Sequence, residues 1–592
     1  MRNNSFFKFS SLFNRAFGAY RLQIGILAIV GFLSGLLEGI GINALVPLFS
    51  FVIGDGGADD SISQWIKNAF DFVNINFTLN YLLVFIALLF IFKAILLFVG
   101  SYIQSRITYD YLKNIRTELF EKTLRSKWRY LMEQKIGYLE KVLSVEMGFV
   151  AKLLQTTSSL VLIVTSLLIF LIVAVNISFS ITAISLATGL TLIVVFQPLI
   201  NKMRRLSQAI AEQSREIAHF VNENVVGMKT VKAMFSVVPV TAQGEKHFEL
   251  WRTLLIKHSL LGIVFGSLFQ PLSIIFVLVL FYFAYMSGEF SFPAFVAIVY
   301  LIQRIFSQIQ GLQAHVQTIL TTMPYVENML AYQSAINKNK EEEGGDNPFT
   351  LTKDFSFKNV SFTYQEGKEV LSGVSFNVEK GSFVGLIGPS GAGKTTIVDL
   401  VLRLLKPSAG DILLDDVSVS NIGLREWRSA VGYVSQDIHL VNDTVANNIR
   451  FFDETITDEE VKHAAKQAHI YDVIETLPQK FSSIVGERGI RLSAGQRQRV
   501  IIARILARKP QFLVLDEATS ALDNESEKRI QEVIENLKGK MTVLVIAHRL
   551  GTVMNCGKLL VLQGGKIVEE GKPQELLKDK ESYFFKMYNI RK

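Results

Sequence analysis

One stretch decides the fold of the second half of this chain: Gly388-Pro389-Ser390-Gly391-Ala392-Gly393-Lys394-Thr395-Thr396. An apolar run, 383–387, precedes it and another, 397–402, follows it, so the pattern predicts a strand, a tight loop and a helix. The spacing G-x-x-x-x-G-K-[ST] is that of a phosphate-binding loop. Its glycines let successive backbone N–H groups turn inward around a phosphate, and the following helix directs its positive end at the same anion.

Lys394 and Thr395 are the two side chains on which the chemistry of this loop depends. A lysine at this position can reach the β- and γ-phosphates of a nucleoside triphosphate, and the threonine hydroxyl can ligate Mg²⁺. We therefore predict that the chain binds a nucleotide and Mg²⁺. The residues predicted to surround the phosphates are Gly388, Pro389, Ser390, Gly391, Ala392, Gly393, Lys394, Thr395 and Thr396.

The composition of the 592-residue chain predicts a membrane protein rather than a soluble enzyme. Hydrophobic residues make up 49 % and charged residues 19 %, with a mean hydropathy of +0.32, whereas a soluble protein carries about 25 % charge. The charge deficit is concentrated in the first half. We attribute the net charge of +8 to lysine and arginine at the cytoplasmic ends of membrane helices, and we expect no nucleic-acid partner.

Two smaller features concern the cysteine and the start of the chain. Cys556 is the one cysteine, which excludes an intramolecular disulfide and predicts a packing role. Residues 1–20 lack the apolar core of a cleavable signal peptide. Their mixture of basic residues and phenylalanines predicts an amphipathic helix at the cytoplasmic surface.

Six apolar segments are long enough to cross a bilayer, which takes about 20 predominantly apolar residues. They are 22–53, 79–104, 155–175, 178–199, 258–287 and 292–313. Loop 54–78 is acidic, whereas the connections 105–150 and 200–257 are rich in lysine and arginine. By the positive-inside rule, these basic connections, both termini and the phosphate loop lie in the cytoplasm, which predicts a multi-pass protein of the cytoplasmic (inner) membrane.

The two basic connections show helical apolar periodicity interrupted by charge. This pattern predicts that the membrane helices continue well into the cytoplasm. Each connection must also turn back, and we expect short crosswise helices near 127–138 and near 236–243. Such elements are suited to contact a soluble domain.

A polar, glycine-rich stretch divides the chain into two domains. Residues 337–348 end in proline, and we predict a linker at 337–349. The residues before it, 1–336, form the predicted six-helix membrane domain. In 350–592 short β-rich runs alternate with helices, which is the signature of an α/β domain. The predicted fold class is therefore an all-α transmembrane domain followed by an α/β phosphate-loop domain.

Three charged residues interrupt the apolar segments: Glu38 in the first, Lys93 in the second and Arg304 in the sixth. An isolated charge at the bilayer centre costs on the order of 2.5–3.5 kcal/mol, so these side chains face protein or a water-filled cavity. One hypothesis is a structural ion pair between Glu38 and Lys93, which lie at similar depth. The other is that Lys93 and Arg304 line a substrate cavity and bind an anionic head group. Gln270, beside the helix-kinking Pro271, could add a polar group there.

The second half contains further motifs in a fixed order. They are Tyr364, Tyr-Val-Ser-Gln-Asp at 433–437, Val-Gly-Glu-Arg-Gly at 485–489, Leu-Ser-Ala-Gly-Gln at 492–496, Phe-Leu-Val-Leu-Asp-Glu at 512–517, Ser-Ala-Leu-Asp at 520–523 and Ala-His-Arg at 547–549. Residues 350–592 thereby resemble the nucleotide-binding domain of ATP-binding-cassette transporters. The whole chain resembles a half-size exporter of that superfamily.

The resemblance implies roles at the nucleotide. Asp516 ends an apolar strand and delivers a carboxylate to the Mg²⁺ shell, and Glu517 polarises the attacking water. His548, the switch histidine, hydrogen-bonds the γ-phosphate and holds the water and Glu517 in place. Gln436 of the Q-loop ligates Mg²⁺ and senses the crosswise helices. The remaining residues implied to contact nucleotide are Tyr364, which stacks on adenine, Asp523 of the D-loop, and Ser493, Gly495 and Gln496 of the signature.

The signature implies a partner subunit. In the family its serine and glycine backbone contact the γ-phosphate bound on the opposite subunit. Because this chain has one phosphate loop and one signature, two copies, or one copy and a homologue, must close around two ATP molecules. Ala494 stands where the family usually has glycine, and we expect activity to survive this small change. The presence of both Glu517 and His548 favours a homodimer.

These features predict an ATP hydrolase coupled to membrane transport, either an exporter or a lipid flippase. Residues 38–47 are similar to the equivalent stretch of bacterial lipid-linked oligosaccharide flippases. The favoured amphipathic substrate is therefore a glycolipid or lipid-linked saccharide, and multidrug or peptide export are the alternatives. An ATP-gated channel or regulatory subunit is the alternative of another class, against which Glu517 and His548 argue.

Overall fold

The computed structural model of this chain describes residues 3–53, 61–72, 74–134, 136–177, 179–286, 292–364, 367, 369–516, 524–547 and 553–590. The chain divides into two compact units. The first comprises Met1–Ser126 and Met132–Lys340, and the second comprises Lys127–Leu131 and Glu341–Lys592. The boundary between Lys340 and Glu341 falls inside the predicted linker, 337–349.

The first unit is built of helices. The helices from the start of the chain to Lys338 are Asn3–Phe17 (α1), Arg21–Asn43 (α2), Leu45–Ile53 (α3), Ser61–Phe72 (α4), Leu79–Leu124 (α5), Trp128–Glu133 (α6), Ile136–Lys141 (α7), Met147–Ile177 (α8), Phe179–Val226 (α9), Met228–Ala233 (α10), Val237–Met286 (α11) and Phe292–Lys338 (α12). Most of α6 is assigned to the second unit, which includes Lys127–Leu131. A π-helical turn, Val142–Glu146, joins α7 to α8. The first predicted membrane segment is divided between α2 and α3 at Ala44.

Five helical stretches of the described residues are long and apolar enough to cross a membrane. They are Ser10–Phe51, Leu79–Leu124, Tyr138–Val175, Val237–Val279 and Phe295–Lys338, and each overlaps one of the six predicted segments. The remaining segment, 178–199, falls in α9, many of whose side chains lie outside the described set. The 46 residues of α5 span about 70 Å at 1.5 Å per residue, more than twice the thickness of the hydrocarbon layer.

The second crosswise helix lies earlier in the chain than the sequence predicts. It is α10, and residues 237–243 already belong to α11. α9 ends before Gly227, where a Cβ atom would lie 3.1 Å from the Glu223 carbonyl oxygen. Phe235, with φ +52°, lies between α10 and α11 and helps reverse the chain. Apolar periodicity does not locate such a reversal, because the reversal depends on a few backbone dihedral angles.

α2 packs closely on α8 along a row of glycines. A Cβ atom would lie 2.4 Å from Thr165 Oγ1 at Gly31, 3.2 Å from Ser166 Cα at Gly35 and 2.9 Å from Val173 Cγ2 at Gly39. Residues spaced by four lie on one helix face, and small residues let membrane helices approach each other. This row therefore fixes the face that α2 turns to α8.

The second unit contains two β-sheets. Their strands are Asp354–Thr363 (β1), Glu369–Glu379 (β2), Phe383–Ile387 (β3), Ala409–Leu414 (β4), Val417–Ser418 (β5), Val431–Val434 (β6), Phe512–Asp516 (β7), Thr542–Ile546 (β8), Lys558–Gln563 (β9) and Lys566–Gly571 (β10). The antiparallel sheet has the order β2-β1-β4-β5, and the larger sheet has the order β10-β9-β3-β8-β7-β6. All neighbours in the larger sheet are parallel except β10 and β9.

Helices surround the larger sheet. They are Lys394–Val401 (α13), Leu424–Ala430 (α14), Val445–Arg450 (α15), Asp458–Gln467 (α16), Tyr471–Thr476 (α17), Ala494–Ala507 (α18), Asn524–Leu537 (α19), Pro573–Leu576 (α20) and Tyr583–Ile590 (α21). Every residue of β3, β7 and β8 is buried, as expected for parallel strands covered on both faces. Alternate residues of β7 enter two different apolar cores. The predicted fold class, an all-α domain followed by an α/β domain, is confirmed.

The part of the predicted linker that begins at Glu341 is an ordered segment of the second unit. Arg428 donates to both carboxylate oxygens of Glu341, at 2.8 and 2.6 Å. The Gly345 N–H donates to the Ser420 carbonyl oxygen at 3.0 Å. The polar residues of this segment therefore serve to form hydrogen bonds with the rest of the second unit.

Candidate functional site

The predicted phosphate loop joins β3 to α13. Gly391 and Gly393 have φ values of +78° and +108°, which side chains with a Cβ rarely adopt. A Cβ atom at Gly388 would lie 2.2 Å from a backbone carbonyl oxygen of β9. Lys394 is 7 % exposed, and its Nζ donates to the carbonyl oxygens of Gly388 and Pro389 at 3.0 Å each. The loop thus has the backbone shape and the positioned ammonium group of a phosphate site.

The parallel strands bring other predicted residues to the same edge of the sheet. β3, β8, β7 and β6 are successive neighbours, and Leu386, Ile546 and Asp516 lie in register across three of them. The phosphate loop follows β3, Asp516 ends β7, and Gln436 lies two residues beyond the end of β6. Ligands of such sheets bind outside the carboxyl ends of the strands, at this edge.

Asp516 lies close to two side chains, those of Tyr433 and Asp399, to which the sequence motifs had assigned no role. Asp516 is 6 % exposed, and the Tyr433 hydroxyl lies 3.5 Å from its Oδ2. Burial and the nearby Asp516 carboxylate raise the pKa of Asp399 to about 6. Asp399 lies on α13, and only the packing of α13 beside β7 brings these carboxyl groups close. An aspartate inside a predicted helix gives no sequence signal of this neighbour.

Tyr364 lies beside the phosphate loop. Its hydroxyl oxygen lies 3.2 Å from Thr396 Oγ1, and its ring meets Phe362 edge-on with centroids 4.8 Å apart. Thr396 is buried, whereas Thr395 is exposed at the start of α13. Of the two adjacent threonines, Thr395 is therefore the one that can reach a ligand in solution.

The signature serine begins a helix. Ser493 is the N-cap of α18, where its Oγ accepts from the Gln496 N–H and the Gln496 side chain accepts from the Ser493 N–H. Ser493 is exposed and Gly495 is buried. Ala494 is the first residue of the helix, so its methyl group leaves the helix start intact. An exposed helix N-terminus of this kind attracts anions.

Four predicted site groups are beyond what the structure describes. Glu517, Asp523 and His548 lie outside the described residues, as does the side chain of Gln270. In sequence, Glu517 follows Asp516 directly, and His548 lies two residues after the end of β8. Their predicted roles therefore rest on the motifs.

A charged cluster lies in the first unit, where Glu38, Lys93 and Arg304 converge from α2, α5 and α12. Lys93 Nζ is 2.9 Å from Glu38 Oε2, and Arg304 Nε is 2.8 Å from Oε1 in an ion pair that is not aligned as a hydrogen bond. The side chains are 3 % exposed at Glu38, 12 % at Lys93 and 35 % at Arg304. The ion pair between Glu38 and Lys93 is present. That Arg304 shares the same carboxylate was not predicted, because this depends on how α12 packs.

Known proteins resemble both halves of this chain. Residues 24–310 match the ABC transporter transmembrane region, and residues 371–520 match the ATP-binding family described as ABC transporter. The ATP-dependent lipid A-core flippase of Burkholderia pseudomallei (strain 1710b) is 32 % identical over 518 residues, which cover 82 % of each chain. This chain belongs to the ABC transporters.

Other relatives of this ABC transporter extend the likeness over nearly its whole length. The heterocyst differentiation ATP-binding protein HepA of Nostoc sp. (strain PCC 7120 / SAG 25.82 / UTEX 2576) is 28 % identical over 596 residues, covering 98 % of this chain and 95 % of that one. A bacterial Atm1-family ABC exporter with ATP bound has the same fold, with a TM-score of 0.78 at 24 % identity, over 97 % of this chain and 99 % of that one.

The ABC transporter is therefore a multi-pass membrane protein with fused membrane and ATP-binding domains. Its second unit binds ATP, and the chain is an ATP hydrolase coupled to transport. Sequence reasoning found the ATP-binding motifs because each depends on local spacing. It missed the link between Arg304 and Glu38 and the proximity of Asp399 to Asp516, both of which depend on packing.

Proposed function

We propose that this ABC transporter moves a glycolipid or lipid-linked saccharide with an anionic head group across the cytoplasmic membrane. The relatives named as lipid A-core flippases support a lipid substrate. The observation that carries the proposal is the charged cluster of Glu38, Lys93 and Arg304.

The cluster has two cations and one carboxylate, so it retains one positive charge. Glu38 and Lys93 are the more buried members and neutralise each other, whereas Arg304 is about one-third exposed. A charge at membrane depth is costly unless it faces protein or water. An arginine whose side chain stays about one-third exposed there is suited to a phosphate, which a guanidinium can bind through two parallel N–H groups. We therefore assign Arg304, with Gln270, to the substrate cavity, and Lys93 to the ion pair that holds Glu38 beside it.

For the ATP site we propose the roles that the motifs imply. The phosphate loop, 388–396, binds the phosphates, Tyr364 stacks on adenine, and Glu517 polarises the attacking water. His548 holds the γ-phosphate, the water and Glu517 in place. Asp523, Gln496 and the signature residues Ser493 and Gly495 complete the nucleotide contacts.

The residues also fit Mg²⁺. Thr395 is exposed at the start of α13, Asp516 ends a strand at the same edge, and Gln436 is exposed just beyond β6. These are oxygen donors, which Mg²⁺ prefers. Bound there, Mg²⁺ would neutralise charge on the β- and γ-phosphates.

We propose that two copies form a homodimer whose ATP-binding domains, 350–592, lie in the cytoplasm beyond the linker at 337–349. Ser493, the N-cap of α18, is exposed, which supports its contact with a phosphate held on another subunit. The tip of the second cytoplasmic connection also supports a protein contact. Phe235, Val238 and Val226 are 89 %, 75 % and 73 % exposed there. Apolar side chains grouped in this way mark interaction surfaces, and we assign this tip to transmission of closure to the membrane helices.

Reconstitution tests the transport proposal. Purified transporter in liposomes is given fluorescent rough lipopolysaccharide, a hydrophobic dye or a peptide, with the Lys394→Ala variant as control. We expect ATP-dependent translocation of the lipopolysaccharide and none by the variant. ATP-dependent movement of the dye or peptide alone would overturn the substrate class. Ion currents with ATP but without lipid movement would instead indicate the channel.

A further inference from the structure

The exposed residues of α12 form a polar stripe along a membrane-crossing helix. Between residues 295 and 330, all of them described, five residues of α12 are exposed: Tyr300, Gln303, Ser307, Gln310 and Ala314. Their spacing of three and four residues places them on one face. Gln317, half-buried, continues that face toward the cytoplasmic end. We call Gln303, Ser307, Gln310 and Gln317 the polar stripe.

Among the described residues, the exposed faces of α5 and α11 in the membrane segments are mainly apolar. Examples are Leu83, Ile91 and Phe98 on α5 and Ile263, Ile275 and Leu278 on α11. Such faces suit lipid, whereas side-chain amides at membrane depth need polar partners or a water-filled cavity. The side of α12 opposite the stripe is apolar and buried, with Leu301, Ile302 and Ile305 in the core. The stripe is therefore the more exposed face of α12, and it is bordered by α11 at Gly262 and Gly266.

The amides of the stripe retain most of their hydrogen-bonding capacity. A glutamine offers two N–H donors and an oxygen that accepts twice. In the part of the chain that the structure describes, Gln303, Gln310 and Gln317 make one hydrogen bond, from Gln310 Nε2 to the Gly266 carbonyl oxygen at 3.4 Å. Neutral donors and acceptors of this kind match hydroxyl groups, which also both donate and accept.

The stripe begins beside the charged cluster. Gln303 precedes Arg304 in the chain, and Gln317 lies about 21 Å further along the helix at 1.5 Å per residue. The stripe thus runs from the depth of Arg304 toward the cytoplasmic end of the membrane segment. A lipid that places its phosphate at Arg304 would extend its saccharide along the stripe.

We infer that the polar stripe of α12 binds the saccharide part of the substrate through hydrogen bonds to its hydroxyl groups. This inference rests on the proposed function and adds a second subsite to it. Arg304 binds the anionic group, and the stripe binds the uncharged sugars. The two subsites predict different responses to two lipids that share phosphates and differ in sugars.

The test uses rough lipopolysaccharide, which carries core sugars, and lipid A without them. ATPase stimulation of the full-length transporter in lipid discs is measured against the concentration of each. Gln310→Leu and Gln317→Leu are expected to raise the half-maximal concentration of rough lipopolysaccharide about 3- to 10-fold and to leave that of lipid A unchanged. Gln208→Leu is the matched control, since Gln208 is an exposed glutamine of α9 that lies beyond the apolar segment 178–199. It should change neither value.

A second measurement tests whether the stripe lines a water-filled cavity or instead contacts a second copy of the chain. In a Cys556→Ala chain, the thiol of Gln310→Cys should react with a charged, water-soluble reagent and be protected by rough lipopolysaccharide. The thiol of Leu278→Cys, on an apolar exposed face, should not react. Cross-linking of two Gln310→Cys chains without reagent access would show that the stripe joins two copies and would overturn the inference.

The outcomes distinguish the two proposals. If rough lipopolysaccharide and lipid A stimulate ATPase equally, and Gln310→Leu changes neither response, the stripe does not bind the sugars. The proposal of lipid transport would still stand. If neither lipid stimulates ATPase or moves across the bilayer, the proposed function fails and the inference with it.

Discussion

Glu517 follows the buried aspartate that ends β7, and we assign it to the attacking water. Glu517→Gln should still bind ATP, because the phosphate loop and Lys394 are unchanged. Its turnover should fall about 10²- to 10⁴-fold, the usual contribution of a general base. ATPase assays together with nucleotide-binding measurements check both parts. Glu525→Gln, at an exposed position of α19, is the control and should remain near normal. Near-normal turnover of Glu517→Gln would contradict the role assigned to Glu517.

Asp399 gives a pH-dependent prediction for the protein without nucleotide and Mg²⁺. Its pKa rises from the ordinary 3.8 to about 6 because the group is buried beside Asp516. The folded state therefore holds a proton more tightly than the unfolded state, so folding stability falls as pH rises from about 4 to about 6.

Asp399→Asn should consequently raise the midpoint of thermal unfolding at pH 8 and have little effect at pH 4. Thermal melts of the purified transporter at both pH values measure this. The control is Asp416→Asn, an exposed carboxylate at positive φ, where asparagine is tolerated. An equal gain at both pH values would contradict the assigned cause.

Arg304 and Lys93 both pair with the Glu38 carboxylate but differ in exposure, so their substitution should affect different properties of the transporter. Arg304→Ala should abolish lipid-stimulated ATPase and transport while basal ATPase persists, because the exposed cation is lost. Lys93→Ala should mainly destabilise the protein, since it leaves buried Glu38 with one fewer partner. Transport assays and thermal melts separate these effects. Unchanged transport by Arg304→Ala would exclude it from the substrate path.

At the scale of elements, the glycine row of α2 determines how closely it approaches α8. Gly35→Leu would place a side chain where a Cβ already lies 3.2 Å from a backbone atom of α8, so the helices must separate. Overpacking of this kind costs about 1–3 kcal/mol. We expect a lower unfolding midpoint in detergent and weaker transport.

Gly25→Leu is the matched control in the same helix, because a Cβ at Gly25 meets nothing within 4 Å. It should leave the unfolding midpoint nearly unchanged. Equal destabilisation by the two substitutions would mean that leucine disturbs α2 for a reason other than contact with α8.

At the scale of the whole molecule, each copy in the proposed homodimer completes the ATP site of the other. Lys394→Ala damages the phosphate loop, and Ser493→Arg damages the signature, so each homodimer should be inactive. A mixed dimer contains one intact site, formed by the loop of one copy and the signature of the other. With random pairing, half of the dimers are mixed, so about a quarter of all ATP sites in the sample should be intact.

ATPase activity of the co-expressed variants measures this restoration. Separately purified variants should stay inactive, and so should a co-expressed pair that carries Lys394→Ala in both copies. Absence of activity in the mixed sample would argue against sites shared between two copies of this chain.

The phosphate loop, the order of the ATP-binding motifs and the apolar membrane segments could be predicted from sequence alone. Each depends on residues close together in the chain, where backbone dihedral preferences, glycine spacing and hydropathy act locally. The same local patterns also predicted that Asp516 and Gln436 lie at one edge of the sheet. Each of these residues ends or closely follows an apolar strand.

Tertiary structure alone decided which distant residues meet. Arg304 joins Glu38 because α12 packs near α2, Asp399 lies near Asp516 because α13 packs beside β7, and the reversal after α10 depends on the left-handed backbone of Phe235. No local pattern encodes these contacts, since they arise from helices that approach across many residues of sequence. The sequence alone determined that the chain uses ATP to drive a membrane protein, and the packing of helices decided where its charged and polar side chains converge.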